Sequence, residues 1–204
     1  MKKITSLFLA TLLILCFLGC ETKKEMRENL NERITRGTID GNIYKSEFTG
    51  ITFTKPDHWR YLTAEEIEEE INYGINSLDA NVYEKNAAYY SNIVDMRVVN
   101  NTNGTCVTIG YENLSQSLGK SVSEEDYLVA VKESLASSGY VHIGEDEYVK
   151  ISNESYLKAS FLTWIDGVQV EATYYLRLIG DIMTVITVGV PETVTNHNIE
   201  SLFS

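Results

Sequence analysis

The stretch 154–190, "ESYLKASFLTWIDGVQVEATYYLRLIGDIMTVITVGV", decides the fold. Asp166-Gly167 and Gly180-Asp181 are two-residue hairpin turns, because the tight turns that match strand twist need backbone conformations that Gly and Asp tolerate. They divide the stretch into strands 154–165, 168–179 and 182–190. Pairing about the turns sets 165 opposite 168 and 179 opposite 182. Strand side chains alternate between faces. One face then carries Leu157, Ala159, Phe161 and Ile165, then Val168, Val170, Ala172, Tyr174, Leu176 and Leu178, then Met183 and Val185. That is a complete core face. The opposite face carries Leu162, Trp164, Tyr175, Ile182, Ile186 and Val188 among Lys158, Gln169, Glu171 and Arg177. It is too apolar to be bare and too charged to be a full core. A sheet covered on both sides, with the second cover partial, accounts for it.

Working outward, "VSEEDYLVAVKESLASSG" (122–139) reads as a helix. Ser123 is its N-cap, Asp126 its N3 partner, and Val122 and Tyr127 form a staple. Tyr127, Val131 and Leu135 make the stripe, and Gly139 suits the position just past the end. Upstream, "NIVDMRVV" and "TCVTIGYEN" are strands joined through the turn-rich "NNTNG". Thr63 and Glu66 form a second capping box, with Leu62 and Ile67 as staple and Ile67, Ile71, Ile75 and Leu78 as stripe. The acidic run Glu65, Glu66, Glu68, Glu69 and Glu70 points around that helix, so it reads as a solvated face rather than a calcium loop. "IYKSEFTGITFTKPDHWRYL" (43–62) holds two short strands linked at Phe48-Thr49-Gly50. Pro56 ends the ladder because it has no N–H to donate, and Trp59 plugs the core edge. Residues 81–91 stay ambiguous. After Pro191, "TNHNIESLFS" returns as a short helix on Ile199, Leu202 and Phe203.

This order of elements, with "ITFTKPDHW", "VTIGYENL", "SEEDYLVAVKESL", the meander and the terminal "IESLF", resembles the PsbP-type α/β/α sandwich family. More closely it resembles small lipoproteins of Gram-positive bacteria that share the fold. The resemblance covers 43–204. It implies an α+β architecture with a mainly antiparallel sheet and a non-enzymatic role in partner binding or assembly. Photosynthetic members bind a photosystem and influence its metal cofactor, but no metal-binding or partner-binding residue carries over to this chain.

The chain begins with Lys2 and Lys3, then an apolar run from Ile4 to Leu18, then Gly19-Cys20 and a polar stretch. That run suits a signal peptide and is shorter than the ~20 residues of a spanning helix. Phe17-Leu18-Gly19-Cys20 resembles the bacterial lipobox. It departs at Phe17, where Leu is commonest, and at Leu18, where a small residue is commonest. The resemblance implies cleavage after residue 19, a diacylglyceryl thioether on Cys20 and a stable anchor of two or three acyl chains. Residues 1–19 are then the signal peptide, 20–42 a lipidated polar tether and 43–204 a single domain on the extracytoplasmic face of a bacterial membrane. A secretory signal cut elsewhere and an uncleaved anchor are the alternatives.

Cys16 leaves with the signal peptide, so Cys106 is the one thiol besides Cys20 and no disulfide framework exists. In "TCVTIGYEN" it reads as a small buried hydrophobe. The formal charge of −12 becomes more negative once Lys2 and Lys3 depart. Such a chain is repelled by phosphate backbones, which excludes nucleic acid as a natural partner. His58, His142 and His197 lie on separate segments with no metal-ligand spacing. No GxSxG, Walker A, GxGxxG or CxxC pattern occurs, and no cofactor is implied. The sequence therefore points to a lipid-anchored binding or assembly module with an unspecified protein or small-molecule partner. A hydrolase-like enzyme with an unrecognised site is the alternative.

Alternation by two puts Leu162, Trp164, Gln169, Glu171 and Tyr175 on one surface, the candidate interaction face. Two fates are open to Trp164. Either a helix of its own chain covers it, or it anchors a partner.

Overall fold

The structure, a computed structural model, describes residues 30–77, 92–114, 122–194 and 198–204, the backbone alone over 74–77. Strands β1 (Thr38–Asp40), β2 (Ile43–Lys45) and β3 (Thr52–Thr54) form a small antiparallel sheet. Then come β4 (Trp59–Tyr61), α1 (Ala64–Ser77), β5 (Asn92–Asn100), β6 (Cys106–Asn113) and α2 (Glu124–Ser137). Four long strands follow: β7 (Val141–Ile151), β8 (Glu154–Ile165), β9 (Val168–Ile179) and β10 (Ile182–Pro191). A 3₁₀ helix, Ile199–Leu202, closes the chain. The seven-stranded antiparallel sheet runs β4-β5-β6-β10-β9-β8-β7, and the fold is α+β.

The meander forms in the expected register. Ile165 pairs with Val168, and Ile179 with Ile182. Asp166 at φ +50° and Gly167 at φ +80° make the first turn. The chain adds a fourth long strand, β7, which reaches β8 through Ser152 (φ 49°) and Asn153 (φ 67°). That turn has the same left-handed pair of residues but no glycine to advertise it.

The core face buries as its alternation requires. Phe161, Tyr174, Leu176 and Val185 pack with Tyr127, Val131 and Leu135 of α2 and with Ile67 of α1. Each such side chain contributes about 1.5–3 kcal/mol of burial. Both helices start on capping boxes. Thr63 N–H donates to Glu66 Oε2 at 2.9 Å and Glu66 N–H returns to Thr63 Oγ1 at 3.3 Å. Ser123 and Asp126 do the same at 3.2 and 3.1 Å. Ile71 is buried, whereas the stripe positions Ile75 and Leu78 lie outside the described side chains, as does the segment 81–91. Cys106 is buried, a free thiol in the helix-side core.

On the opposite face the cover is the small sheet with the 3₁₀ helix and the helical turn 30–33. Tyr44, Phe53, Leu30, Ile34, Ile199 and Phe203 lie on Val98, Val107, Ile109, Tyr111 and Ile186. Trp59, in β4, is 6% exposed and closes the edge of this layer. The tether reading of 20–42 is corrected over its described part. Leu30 and Ile34, one helical turn apart, are buried in this layer, and β1 adds a strand, so residues 30–42 belong to the domain. Two lone apolar residues among charges gave too little periodicity to show it.

Two polar anchors join the layers. Arg97 is buried, with its Nε 2.7 Å from Glu70 Oε2 of α1. Glu70 thus leaves the solvated face assigned to the acidic run. Asp95 sits at a register shift in β5, between Val94 and Met96, where a bulge re-aims a side chain. Its Oδ2 accepts from the Tyr44 hydroxyl (2.6 Å), the Tyr111 hydroxyl (3.0 Å) and Gly37 N–H (2.9 Å).

Candidate functional site

The second cover stops part-way along the sheet, and the five face residues fall on both sides of that boundary. Tyr175 lies inside it, 4% exposed. Trp164 lies outside, 65% exposed, and no described residue covers it. It projects from the end of β8 beside its cross-strand neighbour Gln169. Leu162 faces Glu171 one pair further in. The next row of the sheet adds Ser160 and Thr173, whose hydroxyls are 2.9 Å apart, and then come Lys158 and Tyr175. The surface is therefore continuous, as the alternation of β8 and β9 requires.

An open groove of about 400 Å³ runs over this boundary. The sheet supplies Lys158, Ser160, Glu171, Thr173, Tyr175 and Val188, and the returning chain supplies Val194, Asn198, Ile199 and Glu200. The latch at its inner end is Glu200. Its Oε1 accepts from Lys158 Nζ and from the Tyr175 hydroxyl, each at 2.9 Å. Burial, together with the Glu200 charge and hydrogen bond, raises the Tyr175 hydroxyl far above its ordinary range. Burial opposes ionisation of Glu200, but the hydrogen bonds from Lys158 and Tyr175 outweigh it and hold this carboxyl below its usual value. A depressed carboxyl contributes stability above its unfolded value and loses it as pH falls through the folded one. Thermal melts of the wild type and Glu200→Gln should therefore differ near neutrality and converge as the pH drops below 4.5. A gap that stays unchanged however far the pH falls through the acid range would remove Glu200 as the charged latch.

The outer end is chemically different. Among the described residues Glu171 accepts a long contact from Thr173 Oγ1, at 3.4 Å, and it is exposed. An exposed aromatic plane, an amide and an available carboxylate can bind a ligand by stacking and hydrogen bonding. The remaining sequence candidates lie elsewhere. His58 lines a separate 250 Å³ groove with Trp59, Asn100 and Asn198. His142 meets Asp146 at 2.9 Å on the helix side of β7. His197 and Cys20 lie outside the described residues. Among the described residues no three His, Cys, Asp or Glu side chains are grouped to hold a metal ion.

Sequence reasoning missed Glu200, Ser160 and Thr173 as parts of this surface. The last two follow from the same alternation that placed Leu162 and Trp164. Glu200 had no local signal, since the chain returns to the sheet only in three dimensions.

No protein-family model matches the chain. No curated protein matches it either. Among solved structures it is similar to a protein of Bacteroides thetaiotaomicron, at 12% identity and a TM-score of 0.41, over 80% of this chain and 46% of that one. The chain thus spans less than half of that protein's length. It is also similar to PsbP (CyanoP) of Synechocystis, at 11% identity and a TM-score of 0.41, over 77% of this chain and 87% of that one. A third is the Ran-binding protein Mog1p of Saccharomyces cerevisiae, at 11% identity and a TM-score of 0.42, over 76% and 78%.

Proposed function

We propose that this chain is a non-enzymatic binding or assembly module, held on the extracytoplasmic face of a bacterial membrane through lipid on Cys20. The binding surface is the uncovered end of the mixed sheet face around Leu162, Trp164, Gln169 and Glu171, with Tyr175 at its inner margin. The observation that carries this is the 65% exposure of Trp164 on a regular strand of the central sheet. A large aromatic held rigidly in water loses little conformational freedom on binding, and such residues anchor interfaces. The titratable groups at the inner end of the groove, Lys158, Tyr175 and Glu200, are engaged with one another, which suits a scaffold better than acid–base catalysis.

Trp164→Ala tests the surface. It should change unfolding free energy by no more than about 0.5 kcal/mol, as exposed substitutions do, and abolish co-purification of the partner from the native membrane. A large fall in stability would mean that Trp164 packs internally, and full retention of the partner would mean that this face is not the binding surface. The anchor is tested separately by Cys20→Ser. That variant should leave the membrane fraction and lose incorporated lipid label; unchanged fractionation in a chain that never carried label would exclude the lipoprotein assignment.

A further inference from the structure

We propose that the occupant of the uncovered face is a basic, apolar-bearing polypeptide segment of a partner protein, laid across the sheet with a cationic side chain against Trp164 and Glu171. This rests on the binding role proposed above and adds the chemistry of the ligand.

Charge complementarity argues for it. The segments that build this end of the sheet are 141–143, 160–165, 168–173 and 188–194. They contain no Lys or Arg, yet they carry Glu171 and Glu192, and Asp166 stands in the turn beside them. Glu192 is held close, its N–H donating to Gln169 O at 2.8 Å. The nearest cation along these strands, Lys158, is already spent on Glu200 at 2.9 Å and Glu147 at 3.6 Å. The charged side chains of these segments are therefore all carboxylates, which favours a cation beside Trp164. A cation over an indole face is attracted by the ring quadrupole, and a neighbouring carboxylate adds a charge-assisted hydrogen bond. Trp164 and Glu171 are diagonal neighbours on one face, within reach of one lysine or arginine head group.

The apolar part fixes the size. Val141, Leu162, Glu171 and Val190 lie in one row across four strands. Val141 is 63% exposed, and Leu162 and Val190 are half-buried. Three inter-strand steps of about 4.8 Å give a row ~14 Å long. That is the span of roughly four extended residues, longer than a single amine ligand needs.

Fluorescence offers a direct test, because Trp59 is 6% exposed and Trp164 is 65% exposed. The full-length chain in detergent is titrated with an alternating Lys-Val pentapeptide and with its Glu-Val counterpart. The Lys-Val peptide should shift the exposed tryptophan emission. Its affinity should fall about tenfold in Glu171→Gln and in high salt, and stay unchanged in Glu69→Gln, the same charge change on α1 at the other face. The emission response should vanish in Trp164→Ala. Equal binding of the Glu-Val peptide, or undiminished binding by Glu171→Gln, overturns the cationic assignment. So does a response to a neutral oligosaccharide with none to the Lys-Val peptide, although that result leaves the face a binding surface. If no probe moves the emission and Trp164→Ala retains its native partner, the inference and the binding role fail together.

Discussion

Arg97→Ala should lower the unfolding free energy by about 3–5 kcal/mol, the cost of breaking a buried ion pair by removing one partner. The Arg97 side chain is fully buried beneath α1, and its Nε lies 2.7 Å from Glu70 Oε2, itself 19% exposed. Its guanidinium also donates to Thr108 Oγ1 from the neighbouring strand. Truncation therefore leaves a carboxylate without its counter-charge in a confined place, and a cavity beside it. Domains of this size are stable by only 5–15 kcal/mol or so, so the loss should be plain in a urea titration. The pair is not stabilising in an absolute sense, because both charges were desolvated to make it. Arg97→Met combined with Glu70→Leu should accordingly recover most of the loss. An Arg97→Ala protein within ~1 kcal/mol of wild type would show that water reaches this site and that α1 is held by its apolar stripe alone.

Asp95→Ala should cost about 3 kcal/mol and loosen the small sheet before the large one. One carboxylate oxygen takes three donors: the Tyr44 hydroxyl, the Tyr111 hydroxyl and Gly37 N–H. Ser46 Oγ adds a further contact to Tyr111 at 3.2 Å. Tyr44 and Tyr111 are both fully buried, so losing their acceptor leaves polar groups with no access to water, at about 1–3 kcal/mol each. Asp95→Asn keeps an acceptor oxygen and should cost less. Amide hydrogen exchange would resolve the effect, with protection falling first at Tyr44 and Phe53 of the small sheet while Phe161 and Leu176 keep theirs. Uniform loss across both sheets would mean that Asp95 supports the whole domain rather than the attachment of one layer.

Neither anchor was legible in the chain. Arg97 alternates with Met96 and Val98 like any polar strand residue, and Glu70 sits in a run of five glutamates around a helix. Asp95 is one polar residue between Val94 and Met96, and the register shift that turns it inward has no mark in the sequence. The candidate surface was half legible. Alternation alone put Leu162, Trp164, Gln169, Glu171 and Tyr175 together, because side chains two apart on paired strands must share a face. That Tyr175 is buried and Trp164 is not depends on where the returning C-terminal segment crosses the sheet.

The amino-acid sequence by itself determined what is local. Gly-bearing turns set the register of β8, β9 and β10, capping boxes start α1 and α2, and alternation divides the core face from the mixed one. Each of these is an interaction among residues a few positions apart, and the sequence records it directly. Only the tertiary structure decided which glutamate meets Arg97, that residues 30–42 join the domain, that β7 extends the sheet beyond a glycine-free turn, and how far the second cover reaches. Those outcomes depend on contacts between segments far apart in the chain, such as Arg177 donating to Thr49 O, 128 residues away. A distant contact leaves no period or spacing in the chain, because its geometry exists only after the layers have packed.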